Sequence, residues 1–121
     1  MIYMLNSIEL FSGCGGLLDG FEQSGKYNLL AAVEWELAPC SNLKQRLIDK
    51  WHILDAEKKV LRFDIQRTKE LISGWCNDPE YGSGDGLDKI IGDNRVDVIA
   101  GGPPCQAYSI AGRVRDENGM R

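Results

Sequence analysis

Residues 7–16, SIELFSGCGG, decide the fold of this 121-residue chain. Their first five residues predict a strand that runs directly into a glycine-rich turn. A helical pattern follows, with apolar residues at helical spacing from Leu17 to Phe21. A strand, a glycine turn and a helix in this order allow the backbone to approach a bound cofactor closely. The pattern FxGxG differs from the GxGxxG dinucleotide fingerprint, so on its own it indicates no more than a strand–helix unit.

A second predicted strand, residues 27–33, ends in Glu34 and Trp35. An acidic residue at the end of the second strand, about twenty residues after a glycine turn, suits hydrogen bonding to ribose hydroxyls. The adjacent indole offers a flat face on which adenine can stack. Alternatively, Trp35 is a partly exposed cap on the following helix.

Residues 101–109, GGPPCQAYS, follow a third clear strand pattern at residues 96–100, VDVIA. The glycines end this strand, and Pro103 and Pro104 restrict the backbone of the turn. Cys105 is therefore expected on a stiff loop beyond the carboxyl end of a strand, where open α/β sheets place ligands and catalytic groups. Its polar neighbours favour a positioned nucleophile, although a packing role for the thiol stays open.

The rest of the chain alternates between strand and helix patterns, which predicts an α/β fold with an open, mostly parallel, Rossmann-like sheet. The first and last strands are expected to be neighbours, so that their carboxyl ends meet at the topological switch point. The predicted strands are 7–10, 27–33, a weaker 60–63, and 96–100, and the predicted helices are 16–24, 38–50 and 68–75.

Composition is consistent with one globular domain, since 43% of the residues are hydrophobic. The net charge of −4 arises from residues 77–94, which hold five acids and one lysine. This stretch is also rich in glycine and is expected to form a mobile surface loop before the last strand. Its spacing does not match an EF-hand, so no metal is assigned to it.

Four scattered cysteines with no CxxC pair, and a single histidine, do not form a zinc-binding pattern. Scattered cysteines are typical of reduced thiols, and no apolar run is long enough to span a membrane. We therefore expect a cytoplasmic protein that has no membrane partner.

Three segments together resemble the DNA (cytosine-5)-methyltransferase family: residues 9–22, ELFSGCGGLLDGFE; residues 33–35, VEW; and residues 101–109. They occur in the family's order, with the family's Asp-Ile step present as Asp64-Ile65. The resemblance covers nearly the whole chain. It implies the fold of an S-adenosylmethionine-dependent methyltransferase, with residues 1–121 as the amino-terminal portion of one catalytic domain.

The resemblance also implies a role for each matching residue. Glu34 would bind the ribose hydroxyls of S-adenosylmethionine, Trp35 would pack on its adenine, and Asp64 would accept a hydrogen bond from the adenine amino group. Other residues would line the cofactor pocket: Phe11, Gly13, Gly15, Gly16, Ile65 and Pro103. Structural alternatives remain, since Phe11 fits a core position and Asp64 fits an N-cap of the next helix.

Cys105 would be the nucleophile that adds to a cytosine flipped out of DNA. Gln106 and Ser109 would lie near the flipped nucleotide or its phosphates. Arg113 and Arg115 would either raise the ionised fraction of the thiol or contact DNA phosphates.

The sequence departs from the family pattern in two respects. No Glu-Asn-Val segment occurs, and Arg113-Val114-Arg115 follows the nucleophile loop too closely to be the family's Arg-x-Arg motif. We therefore expect an amino-terminal fragment or half of a split enzyme, of bacterial or phage origin. Alone it would be inactive, and it would self-associate through an open strand edge or need a second chain.

Two other functions remain open at this point. One is a tRNA cytosine-5 methyltransferase, which shares these motifs. The other is a non-catalytic remnant that only binds the cofactor.

Overall fold

A computed structural model describes residues 3–11, 13 and 16–102. The elements follow one another along the chain as β1 (Leu5–Leu10), α1 (Gly16–Ser24), β2 (Tyr27–Glu34), α2 (Leu37–Trp51), α3 (Ala56–Lys59), β3 (Val60–Arg62), α4 (Thr68–Ser73), β4 (Gly74–Asp78), β5 (Gly82–Asp85), α5 (Leu87–Ile91) and β6 (Val98–Gly101). The two helices predicted first, at residues 16–24 and 38–50, correspond to α1 and α2.

The main sheet has the strand order β3–β2–β1–β6, and all of its described strands are parallel. This confirms the predicted α/β class and the predicted neighbourhood of the first and last strands. The chain moves outward from β1 to β2 and β3, then returns to the other side of β1. The switch point therefore lies between the carboxyl ends of β1 and β6, where open α/β sheets bind their ligands.

Alternating residues of the sheet belong to two separate apolar clusters, because successive strand side chains point to opposite faces. On β2, Ala32 belongs to the cluster formed with α1, α2 and α3, and Val33 belongs to the other. On β3, Val60 and Leu61 divide in the same way. The second cluster is centred on Phe63, which is fully buried, and packs against α4, α5 and the β4–β5 hairpin.

The helix predicted at residues 68–75 is shorter in the structure and ends at Ser73. Gly74 has φ = 110°, a conformation that favours glycine and turns the chain out of the helix. Trp75 then lies in β4 rather than in a helix, and its ring stacks on Phe63 with 4.0 Å between centroids. Aromatic packing in the core thus overrides the local helical pattern.

The prediction of a surface loop for residues 77–94 was wrong. β5 pairs antiparallel with β4, and α5 follows, with Leu87 and Ile90 packed against the Phe63 cluster. A Cβ atom at Gly84 would come within 2.5 Å of the Trp75 ring. Glycine at this position therefore permits close packing of the hairpin rather than mobility.

The last strand begins and ends later than the predicted residues 96–100. Asp97 precedes β6, and its carboxylate accepts hydrogen bonds from Asn6 N at 2.8 Å and from Arg95 Nε at 2.7 Å. β6 has no partner on its outer side within the described residues, and Ile99 is 64% exposed.

No helix in the described ranges has the length and apolar character needed to cross a membrane.

We predict that Gly101→Ala will destabilise the protein. Gly101 pairs with Leu10 at the switch point, and a Cβ there would lie 2.6 Å from the Leu10 carbonyl oxygen. Because two backbones must separate to admit the methyl group, we expect a loss of about 1–3 kcal/mol in the free energy of unfolding, measured by denaturant titration.

Gly102→Ala is the matched control, since a Cβ at Gly102 meets nothing within 4 Å. Equal stability of the two variants would contradict the close approach of β6 to β1.

Candidate functional site

Glu34, the last residue of β2, hydrogen-bonds to the segments that follow β1 and β3 and to the start of α2. This residue is buried, with 8% of its surface exposed. Its Oε1 accepts a hydrogen bond from Gly13 N at 3.0 Å, and its Oε2 accepts one from Glu36 N at 2.8 Å. Its carbonyl oxygen accepts a hydrogen bond from Phe63 N at 3.2 Å. One residue thus joins the glycine turn, the start of α2 and the end of β3.

The turn after β1 has an unusual backbone. Phe11 has φ = 57° and Gly13 has φ = 55°, both in the left-handed region. This conformation suits glycine but is uncommon for phenylalanine, and such residues are frequent at binding sites. Phe11 is only partly buried, so the structure does not make it a simple core residue. Gly16 begins α1, with open space where its Cβ would be.

Trp35 and Asp64 follow the ends of neighbouring strands. Trp35 is partly buried and lies between Glu34 and the first turn of α2. Asp64 follows Phe63, and its Oδ1 accepts a hydrogen bond from Gln66 N at 2.9 Å. Helix α4 begins four residues later with Arg67 at its N-cap, so the N-cap interpretation of Asp64 was wrong. Ile65 packs against the Phe63 cluster.

Helix α1, which begins after the glycine turn, is joined to α2 by Asp19. Its Oδ2 accepts a hydrogen bond from Arg46 Nε at 2.7 Å, and its Oδ1 accepts one from Trp51 Nε1 at 2.8 Å. The Arg46 hydrogen bond is the main reason that the pKa of Asp19 falls to about 2. Lys50 adds a further positive charge at 3.5 Å. The orientation of α1 is therefore set by a polar group as well as by apolar packing.

Glu9, which the sequence interpretation did not single out, is a further acidic residue near the site. It lies in β1 with 2% of its surface exposed, and its register partners are Ala32 and Ala100. Burial, and secondly the charge of Asp19, raise the pKa of Glu9 to about 7. The available signal was a carboxylate inside a short strand pattern, and the structure buries Glu9 together with its neighbours Ser7 and Ile8.

Several predicted site residues lie outside the described residues: Gly15, Pro103, Cys105, Gln106, Ser109, Arg113 and Arg115.

Within the described part of the chain, no group of three or more His, Cys, Asp or Glu residues is arranged to hold a metal ion. Cys40 and Cys76 are free thiols. The Cys40 Sγ donates to the Glu34 carbonyl at 3.4 Å, and burial raises the pKa of Cys40 to about 11.

The parallel sheet, its glycine turn and the acidic end of its second strand define a Rossmann-like α/β domain of the methyltransferase type. Residues 5–121 match the family model described as C-5 cytosine-specific DNA methylase, and the chain belongs to that family.

The chain is similar to several type II methyltransferases. It is 33% identical to M.Bpa9945I of Bacillus paralicheniformis over an alignment 146 positions long including gaps, covering 89% of this chain and 32% of that protein. It is 34% identical to M1.HphI of Haemophilus parahaemolyticus, covering 91% of this chain and 23% of that protein. With M.HgiGI of Herpetosiphon aurantiacus the identity is 32%, covering 93% and 68% respectively. The chain thus spans a third or less of the first two relatives.

We predict that Glu9→Gln will stabilise the protein at pH 8 and have a much smaller effect at pH 5. In the unfolded chain Glu9 ionises near pH 4.5, whereas in the folded protein it ionises near pH 7. The contribution of Glu9 to the free energy of unfolding is therefore fully present below pH 4.5 and is lost as the pH rises through 7. At pH 8 we expect the glutamine variant to gain about 2–3 kcal/mol in the free energy of unfolding.

Glu57→Gln is the control, because the Glu57 side chain is 78% exposed and forms a surface ion pair with Lys44. If Glu9→Gln had the same stability profile between pH 5 and 8 as the unsubstituted protein, the ionisation of a buried Glu9 would be contradicted.

Proposed function

We propose that this chain provides the S-adenosylmethionine pocket and the nucleophile for methylation of carbon 5 of cytosine in DNA. The observation that supports this proposal best is the position of Glu34, whose buried carboxylate lies at a strand end against the amide of Gly13. The family description and the names of the relatives favour DNA over tRNA as the substrate.

The residues at the strand ends have the chemistry that S-adenosylmethionine requires. Each Glu34 oxygen accepts one backbone hydrogen bond and retains a lone pair for a ribose hydroxyl. Trp35 offers an aromatic face to the adenine, and Asp64 keeps one carboxylate oxygen for the adenine amino group. The remaining pocket residues would be Phe11, Gly13, Gly15, Gly16, Ile65 and Pro103.

Cys105 would act by covalent catalysis, since cytosine carbon 5 is too weak a nucleophile to take a methyl group directly. The Cys105 thiolate adds to carbon 6, which makes the ring enamine-like and raises the electron density at carbon 5. When bound, S-adenosylmethionine would supply a methyl group from its sulfonium to carbon 5, and S-adenosylhomocysteine would be left. Loss of the carbon 5 proton then breaks the bond between Cys105 and carbon 6 and restores the thiolate.

The target cytosine must leave the duplex to reach Cys105, as in other enzymes that modify bases. Gln106 and Ser109 would contact the flipped nucleotide or its phosphates. Arg113 and Arg115 would contact DNA phosphates or favour the ionised thiol. A segment carrying Glu-Asn-Val, or a second chain, would supply the group that acts on ring nitrogen 3 of the cytosine. The expected location of the enzyme is the cytoplasm.

We predict that Glu34→Gln will weaken binding of S-adenosylhomocysteine about tenfold or more, measured by calorimetry. The amide nitrogen cannot accept a hydrogen bond, so one of the two backbone contacts and one ribose contact are lost. Trp35→Ala should also weaken binding, because the stacking face is removed.

Glu36→Gln is the control for both variants, since Glu36 is exposed and its side chain makes no cap hydrogen bond. Unchanged affinity in Trp35→Ala would refute the proposed stacking, and unchanged affinity in Glu34→Gln would refute the proposed ribose contact.

We predict that Cys105→Ser in the complete enzyme will abolish methyl transfer but leave affinity for S-adenosylhomocysteine nearly intact. A hydroxyl ionises far less readily than a thiol, while the cofactor contacts do not depend on ionisation. DNA containing 5-fluorocytosine should form a covalent adduct with Cys105, since fluorine blocks the release step.

Cys76→Ser is the control, because Cys76 is an exposed thiol on β4. A 5-fluorocytosine adduct mapped to Cys14, Cys40 or Cys76 would show that the nucleophile is assigned wrongly.

A further inference from the structure

The β4–β5 hairpin lies outside the main sheet but packs on the turn that contains Asp64. Its two strands pair antiparallel, and in sequence the hairpin lies between α4 and α5. None of its residues belongs to the proposed cofactor pocket. Its contacts nevertheless converge on the two residues that flank the segment 64–66, namely Phe63 and Arg67.

Phe63, immediately before Asp64, is held by aromatic residues of the hairpin. The Trp75 ring stacks on it with centroids 4.0 Å apart, and the Tyr81 ring lies 5.2 Å away at 57°. Trp75 Nε1 donates to the Tyr81 carbonyl at 3.2 Å, so both rings are part of one unit. Aromatic pairs at these distances have a defined geometry, which restricts the position of Phe63.

Arg67, which follows the segment, is held by a carboxylate of the hairpin and by Glu70 of α4, whose Oε1 accepts a hydrogen bond from Arg67 Nε at 3.0 Å. Arg67 Nη1 lies 2.7 Å from Asp78 Oδ2, and its guanidinium lies 4.7 Å from the Phe63 ring centroid. Asp78 Oδ1 also accepts hydrogen bonds from the amides of Glu80 at 3.0 Å and Tyr81 at 2.9 Å. Asp78 therefore closes the hairpin turn with one oxygen and holds Arg67 with the other.

A third contact joins the hairpin to the end of β3. Arg62 Nη1 donates to the Glu80 carbonyl at 2.9 Å, and its guanidinium lies 5.0 Å from the Tyr81 ring centroid. Tyr81 is close enough to Asp64 for the carboxylate charge to contribute to raising the pKa of the phenol, after burial and Glu80. The hairpin thus contacts the residues on both sides of the turn, Arg62 and Phe63 before it and Arg67 after it.

We propose that the β4–β5 hairpin is a positioning element that holds the Asp64 carboxylate in place and so sets the preference of the pocket for the 6-amino group of adenine. This inference rests on the proposed function, because it assumes that Asp64 faces the adenine. Asp78 is the positioning residue, and it acts through Arg67 without touching the ligand.

The test compares two ligands by calorimetry: S-adenosylhomocysteine and S-inosylhomocysteine, in which oxygen replaces the 6-amino group. The unsubstituted protein should prefer the adenosyl ligand about tenfold or more, the value of a hydrogen bond to a charged group. Asp78→Asn keeps the acceptor for the turn amides but presents an NH₂ group to Arg67. In this variant we expect the preference to fall below about threefold, mainly through weaker binding of the adenosyl ligand.

Asp85→Asn is the matched control, since it makes the same change in β5, where the Asp85 side chain pairs with exposed Lys89 at 3.3 Å. Gly84→Ala is a second test variant, because its Cβ would displace the Trp75 ring that holds Phe63. Thermal unfolding shows whether each variant is folded. We expect Gly84→Ala to lose the preference and Asp85→Asn to retain it.

The outcomes separate the inference from the proposed function. Two results would overturn the positioning role while leaving the cofactor pocket supported. One is that Asp78→Asn and Gly84→Ala weaken the binding of both ligands equally. The other is that both folded variants keep an unchanged preference for the adenosyl ligand. Failure of the unsubstituted protein to bind S-adenosylhomocysteine would overturn the proposed function and the inference together.

Discussion

The site depends on one buried carboxylate. Glu34 accepts hydrogen bonds from Gly13 and Glu36, and its carbonyl accepts one from Phe63. A buried charge is costly unless polar groups satisfy it, and backbone amides that begin a turn or a helix need acceptors in return. The same contacts therefore satisfy the carboxylate and hold three chain segments at one edge of the sheet. A glycine turn without this acceptor would lose the hydrogen bond that joins Gly13 to the end of β2.

The switch point requires close packing of backbone rather than of side chains. β6 pairs with β1 from Ser7 to Leu10, and Gly101 leaves no room for a Cβ against the Leu10 carbonyl. At the other end of the same strand pair, Asp97 binds the amide of Asn6. The final strand is thus held at both ends, and Gly101 lies at the same edge of the sheet as the end of β1.

The β4–β5 hairpin shows how charged residues act differently in a surface segment and in a packed one. Lys89 and Asp85 form an exposed pair, which contributes little to stability. Arg67 lies between Asp78 and the ring of Phe63, where its planar guanidinium both hydrogen-bonds and stacks. The acidic composition of this segment therefore includes a carboxylate that orders the neighbouring turn.

The sequence by itself determined the α/β alternation, the bounds of α1, the order of the motifs and the placement of Glu34 and Asp64 at strand ends. These follow from periodicity and from glycine or proline at turns, which are local properties of the chain. Only the tertiary structure decided that Trp75 leaves α4 to stack on Phe63, that residues 82–91 form a strand and a helix, and that Glu9 is buried. Each of these depends on contacts between residues distant in sequence. Local propensity cannot report whether a glycine serves mobility or close packing, because that depends on which side chain lies opposite it.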